Sequence, residues 1–510
     1  MWQRHSLKAW PSTLPEGLGE DWTGWSKVPE QTMWSATRRE TFVEAVMRQY
    51  ATQGWTPPRL QDLEEDSCRV VTVGHQLVVC GGPAFLHHKV LSAIRTARGL
   101  EQAWGVPVVP VFWMASEDHD WKEAGRVDGQ SGTHNWSPDN RSIPIPVGRL
   151  GTDGLEALVR AWGQDGAPES EVNDLLEEVR AVERKGGRYA EVFFRWMHRW
   201  YGHLGLVVLD PDDDKLKTSC ATLWAGEMRD EGVRQALVGT NAMDGPAHVR
   251  DNQLFWLGEE GRIGMVKGKE QEGAAPWNAG PQAFEEPIQG WDAWARQEAA
   301  RCSPGVLLRP LYQEMLLESA CVILGPGEWR YWHQLPRAFD SRGVVFPALR
   351  LRDHGLVISS ELALSGWQTR HGWMTVEQWE KWVLDGWMEE HQNLLASHRT
   401  TLAEATSAIR ETGTAFAPEL AGAGGAFEKG VDKAWTQWLK KFRRALKAKR
   451  AEAWSASQAA QKTLMREGVP QDRWSNWHVL AGEEVGAWNE AWMAEPEVLT
   501  TSVWLHQPKT

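Results

Sequence analysis

Short, nearly unbroken apolar runs punctuate the first 350 residues, with segments of helical period between them. RVVTV (69–73) is the first run. Pro83 then opens AFLHHKVLSAIRTARGL, which Gly99 is placed to end. Proline in the first turn and glycine near the last are common helix punctuation. PVVPVFWMA (107–115) and LGLVVLD (204–210) repeat the strand pattern. Further on, LLRPLYQEMLLES (307–319) predicts a helix, ACVILG (320–325) a strand, GEWRYWHQLPRAF (327–339) a helix and GVVFP (343–347) a strand. An earlier helix is expected over 35–53, after a polar, Trp-dotted start.

Strands that are apolar on both faces must be covered on both faces. The alternation therefore predicts an α/β fold with a parallel sheet between helices. Right-handed crossovers make it a doubly wound, Rossmann-like core. In such sheets ligands bind beyond the carboxyl ends of the strands. Strand 107–115 ends in Glu117, Asp118, His119 and Asp120. Strand 204–210 ends in Asp210, with Asp212, Asp213 and Asp214 behind it. Strand 320–325 runs into Gly325-Pro326-Gly327-Glu328, and the first strand into Gly74, His75 and Gln76.

The pattern divides the chain into core segments 1–128, 200–255 and 301–373, with inserts at 129–199 and 256–300. A helical hairpin covers 374–468, and 469–510 packs back on the core. In the hairpin Met388, Leu395, Leu402 and Ile409 recur every seven residues. Val431, Trp435, Trp438, Phe442 and Ala445 alternate steps of four and three, and APELAGAGGA (417–426) supplies the turn. Heptad spacing of this kind predicts an antiparallel coiled coil. Its basic stretch LKKFRRALKAKR (439–450) reads as a solvated flank, with a phosphate-attracting surface as the alternative.

Composition narrows the function classes. A chain of 510 residues exceeds one core, since domains run to ~100–200 residues. A net charge of −13 argues against nucleic acid and, more weakly, against an anionic membrane. The cysteines (Cys68, Cys80, Cys220, Cys302 and Cys321) are odd in number and none form CxxC. That fits reduced thiols in the cytoplasm. No apolar h-region opens the chain, and no run reaches the ~20 residues of a membrane span. The 33 tryptophans against 5 tyrosines are scattered throughout and read as compositional bias.

Glu117 to Asp120 have the residue types of acid–base chemistry or a hard-metal site, but no HExxH is present. A plainer reading is helix capping by Ser116 or Asp118, which leaves His119 unexplained. In the first loop Gly74, Gly81 and Gly82 permit close approach of the backbone, and the helix start near Pro83 can receive an anion. No GxGxxG, P-loop or nucleophile-elbow motif is present. Of His87, His88 and Lys89 on that helix, at least one is expected to be solvated. Tyr312 and Gln313, after Arg309-Pro310, are expected to face the same cleft.

Taken in order, VVTVGHQLVVCGGPAFLHHK, PVVPVFWMASEDHDWKE, GLVVLDPDD, DNQLFWL (251–257), VLLRPLYQEMLLESACVILGPGEWRYWHQL and PQDRWSNW (470–477) resemble BshC, the cysteine-adding family of bacillithiol biosynthesis. The resemblance implies a Rossmann-like core, connective inserts and a coiled coil that makes a homodimer. It implies a ligase that forms an amide between cysteine and glucosaminyl-malate, with ATP or ADP bound and Mg²⁺ expected if ATP is the activator. Gly74, His75 and Gln76 fall on its first-loop motif, and Glu117 to Asp120 and Gly325 to Glu328 match without gaps. His119 is the first choice of base, with Asp118 or Asp120 next. Lys89, Arg309 and the 325–328 turn are candidates for the substrate's carboxylates, with Asp210, Tyr312 and Gln313 nearby. Two other readings stand beside this one: a metal-dependent hydrolase built on Glu117 to Asp120 with Asp210, and a non-catalytic scaffold.

Overall fold

The computed structural model describes residues 2–6, 34–138, 144–238, 247–269, 276–357, 376–466, 469–494 and 502–506. Most of the polar opening stretch and both ends expected for the hairpin segment, 374 and 468, lie outside them.

Five strands form the central sheet: β1 (Arg69–His75), β2 (Val108–Met114), β3 (Val207–Leu209), β4 (Cys321–Leu324) and β5 (Ala348–Leu351). Their spatial order is β5-β4-β1-β2-β3, and every pairing is parallel. Residues of β2 are buried throughout, which explains the unbroken apolar run. Helix α1 (Ala36–Gln53) begins at a Ser35 cap, and α2 (Ala84–Trp104) packs on β1 and β2. Helices α3 (Arg309–Leu317) and α4 (Pro326–Trp332) flank β4 in the chain. The chain thus has the expected α/β, Rossmann-like core. Several tryptophans, Trp113, Trp162, Trp196 and Trp224 among them, are wholly buried.

Several local expectations are corrected. Helix α2 passes through Gly99 and ends at Gly105, whose φ of +67° suits the left-handed cap. Residues 327–339 are not one helix. They split into α4 and Pro336–Arg342, because a proline starts the second helix and cannot sit inside the first. GVVFP is not a strand; pairing begins just after it, with Ala348 opposite Cys321. His87, His88 and Lys89 are all buried, at 3%, 0% and 1% exposure, so none is solvated.

The C-terminal segment explains much of that burial. The Asn476 side chain donates to the carbonyls of Cys80 and Gly82 at 2.9 and 2.8 Å, and Ala84 N–H donates to Ser475 O at 2.7 Å. The start of α2 is therefore closed by protein and is not open to an anion. Gly82 has φ +55°, and a Cβ there would lie 2.6 Å from Val78, so this turn requires glycine.

A second, antiparallel sheet places Leu254–Gly258 between Gly261–Gly264 and Cys302–Pro304. Helices α5 (Gln392–Phe416) and α6 (Ala421–Lys449) pack on each other, with an Arg410–Glu428 ion pair of 3.1 Å between them. No described helix is long and apolar enough to cross a membrane. All five cysteines are buried.

Candidate active site

A cavity of about 780 Å³ opens where β1, β2 and β4 end. Gly74, His75 and Gln76 line it from β1, Glu117, Asp118 and His119 from β2, and Gly325, Gly327 and Glu328 from the turn after β4. Lys89, Arg309 and Tyr312 come in from α2 and α3. The sheet order sets this convergence, because β1 lies between β4 and β2.

Lys89 ties two of these strand ends together. Its Nζ donates to Gly74 O and to Glu328 Oε2, each at 2.5 Å. The same Glu328 oxygen accepts Gly325 N–H at 2.9 Å, so the turn is filled by its own carboxylate. Burial pushes Glu328 up, but Lys89 and the amide more than reverse it, and the group stays below the ordinary carboxylate value. Burial lowers Lys89, opposed by Glu328. Arg309 donates to Gln313 at 2.8 Å and to Tyr331 at 3.2 Å. A Cβ on Gly74 would lie 3.6 Å from the Arg309 guanidinium, so a larger side chain would displace it. His75 donates from Nδ1 to Gln76 O at 3.0 Å, and burial, with Lys89 beside it, lowers it to about 4.

Across the cavity, Gln76 donates to Asp118 Oδ2 at 2.7 Å. His119 is half-exposed and its Nδ1 lies 3.0 Å from Arg262 Nη1. Burial lowers the His119 pKa, and the Arg262 cation adds to this, against Asp118 and Asp120. Glu117, also in the cavity lining, is taken up by a buried ion pair. It pairs with Lys217 at 2.6 Å, and Lys217 pairs with Asp212 at 2.6 Å. Arg149 grips Asp212 with two bonds of 2.6 and 2.7 Å. Burial opposes the Lys217 charge, but the two carboxylates outweigh it and raise its pKa. The carboxylates that end the apolar strand thus divide between a buried ion network and the cavity wall.

Three sequence candidates lie off the cavity. Asp120 accepts Glu123 N–H at 3.2 Å as the cap of the short helix Trp121–Ala124, so the capping role falls to it and not to Ser116 or Asp118. Asp210 accepts Ser116 Oγ and Asp212 N–H, and burial, then Asp212, raises it to about 7. It lines a separate groove beside Arg48 and Gln49. Gln313 is buried behind Arg309 and donates to Glu314 at 2.7 Å. Tyr312 offers only its ring to the cavity, since its hydroxyl donates to Pro211 O at 2.8 Å.

The spacing rules missed Arg262, Arg352 and Arg473, which also line the cavity. Arg352 is buried and pairs with Asp472 at 2.8 Å. The cavity therefore offers cations to phosphate or carboxylate oxygens. It does not fit a metal held by protein carboxylates, because Glu117 and Glu328 are already paired with lysines. Among the described residues no group of three His, Cys, Asp or Glu side chains is placed to hold a metal ion. The hydrolase reading loses its ligand set, since Asp210 and Glu117 serve other partners.

Fold and cavity define a Rossmann-like protein with a cation-lined pocket at its strand ends. A family model described as bacillithiol biosynthesis BshC, N-terminal Rossmann-like domain, matches residues 21–353, and the chain belongs to that family. Relatives named "Putative cysteine ligase BshC" include one from Salinibacter ruber, 29% identical over 333 residues, 62% of this chain and 59% of the relative. One from Flavobacterium johnsoniae is 25% identical, over 62% of this chain and 60% of the relative. The chain thus spans about three-fifths of the length of these two. One from Flavobacterium psychrophilum is 24% identical over 464 residues, 88% of this chain and 86% of the relative.

Proposed function

We propose that this chain is a carbon–nitrogen ligase of bacillithiol biosynthesis, working in the cytoplasm, that joins the carboxyl of cysteine to the amine of glucosaminyl-malate. The observation that carries this reading is the mixed lining of the cavity. Lys89, Arg309, Arg352 and Arg473 line it together with Asp118 and His119, in a volume suited to small molecules. The acceptor's malate carboxylates and the phosphates of a nucleotide both need the cations. Amide formation needs the acid–base groups.

The carboxylate is unreactive until activated, so a nucleoside triphosphate is the co-reactant. A carboxylate oxygen attacks phosphorus, and ADP or pyrophosphate leaves. The neutral amine then attacks the acyl carbon. The C–N bond forms, the C–O bond to phosphate or AMP breaks, and the ammonium proton passes to a base in the strand-end cluster. Mg²⁺ would accompany the nucleotide, bound through its phosphates.

The assay incubates the full chain with glucosaminyl-malate, cysteine, ATP and Mg²⁺ and reads products by mass spectrometry. The reading expects Cys-GlcN-Mal from the wild type and its loss in Lys89→Met. Folded wild-type protein that binds nucleotide but forms no amide overturns it.

The hairpin is read as the seam of a homodimer. Ile409, Phe427 and Trp438 are 54%, 47% and 44% exposed, although they sit on helices with an apolar stripe. Light scattering should give twice 57.5 kDa for the wild type and a shift toward the monomer for Trp438→Glu. A monomeric wild type removes the dimer.

A further inference from the structure

We infer that Arg262 is a positioning residue that fixes His119 as a neutral imidazole with its proton on Nε2, making His119 a hydrogen-bond donor to a substrate oxygen and leaving Asp118 as the base. The assignment deepens the ligase reading and rests on it for the identity of the substrate.

Arginine has donors only and stays charged. A guanidinium N–H therefore faces His119 Nδ1 at 3.0 Å, and that nitrogen must be the acceptor. The ring's one proton then lies on Nε2, away from Arg262. Protonating Nδ1 would turn the contact into a clash of two donors and two cations.

Arg262 is not free to yield. Its Nε donates to Ser303 Oγ at 2.9 Å, its Nη2 to Pro304 O at 2.7 Å, and its backbone N–H to Pro144 O at 2.8 Å. The guanidinium lies over the Phe255 ring, 3.9 Å from its centroid. Phe255 sits on the strand next to that of Arg262 and Ser303 on the strand beyond it, so three strands of the antiparallel sheet aim one side chain at the histidine. The other charges around His119 are Asp118 and Asp120, which favour a proton, and Arg250, which opposes one. Asp118 Oδ1 is 3.9 Å from Nδ1, too far for a hydrogen bond.

A neutral imidazole donating from Nε2 suits an oxygen that gains negative charge when the amine adds to an acyl carbon. It cannot take the amine's proton, because its only lone pair faces Arg262. Asp118 lines the same cavity and is held by Gln76.

The test has two independent arms. Nitrogen-15 NMR of histidine-labelled wild-type protein, with His119 assigned by its loss in His119→Gln, should show the Nε2–H neutral tautomer at pH 7 to 8. Arg262→Met should mix the tautomers and raise the pKa. An Nδ1–H tautomer or an imidazolium at pH 7 in the wild type overturns the inference, whether or not turnover is seen. In the turnover arm, Gln at 119 can accept from Arg262 and donate onward but cannot act as a base. His119→Ala should lose about 10²–10³-fold in kcat, while His119→Gln should lose less than about tenfold. Equal losses in the two variants would overturn the donor role. Absence of amide from the wild type sinks the ligase reading and leaves the tautomer result to stand or fall alone.

Discussion

Replacing Lys217 with methionine removes the cation between Glu117 and Asp212. Lys217 is wholly buried, and methionine nearly matches its stem, so the change is mainly one of charge. Asp212 keeps both bonds to Arg149, so the burden falls on Glu117, which is 6% exposed. Breaking one partner of a buried pair costs about 3–5 kcal/mol. Without Lys217, burial and Asp212 push the Glu117 pKa further above its ordinary value of 4.5. A folded-state pKa raised in this way favours folding at low pH. Stability is then lost as pH rises from the unfolded value toward the folded one, by up to about 1.4 kcal/mol per unit. Urea denaturation of Lys217→Met should therefore show a loss of about 3–5 kcal/mol at pH 8 that is smaller at pH 6. A loss under about 1 kcal/mol, or one independent of pH, would refute the claim that Glu117 depends on this lysine.

Three further outcomes are expected. Asp472→Asn takes the carboxylate from buried Arg352 and should cost about 3–5 kcal/mol by urea denaturation, with earlier proteolysis of the C-terminal segment. Arg473→Ala, at the exposed rim, should weaken anionic-ligand binding about tenfold by calorimetry, more at low salt, while stability moves within about 0.5 kcal/mol. Burial holds Glu314 at about 7, against 4.5 ordinarily, so its contribution is full below pH 4.5 and falls by about 3 kcal/mol as pH approaches 7. Glu314→Gln should flatten that part of the stability curve.

The central sheet was legible because strands buried on both faces must be apolar at every position, as β2 is. The strand-end rule then pointed to Asp118, His119 and Glu328, which the structure brings to one cavity. What stayed hidden was pairing at long range. Polar residues on α2 look solvated in the sequence, yet His87 meets Tyr201 114 residues away and Lys89 meets Glu328 239 residues away. Arg262 reaches His119 across 143 residues from an insert whose composition gave no reason to place it in the site. Local spacing carries the period of an element, not the identity of a partner from another one. Asp120 was misplaced for a related reason: a cap and a catalytic acid use the same residue type at a helix start.

Cysteine labelled with oxygen-18 in its carboxylate gives the most direct test. It would be turned over with glucosaminyl-malate, ATP and Mg²⁺, and the phosphate and AMP examined by mass spectrometry. Activation of the carboxyl by the nucleotide predicts one labelled oxygen in phosphate or AMP for each Cys-GlcN-Mal formed. Amide formed with no label in either product, or no amide from folded protein, would contradict the account.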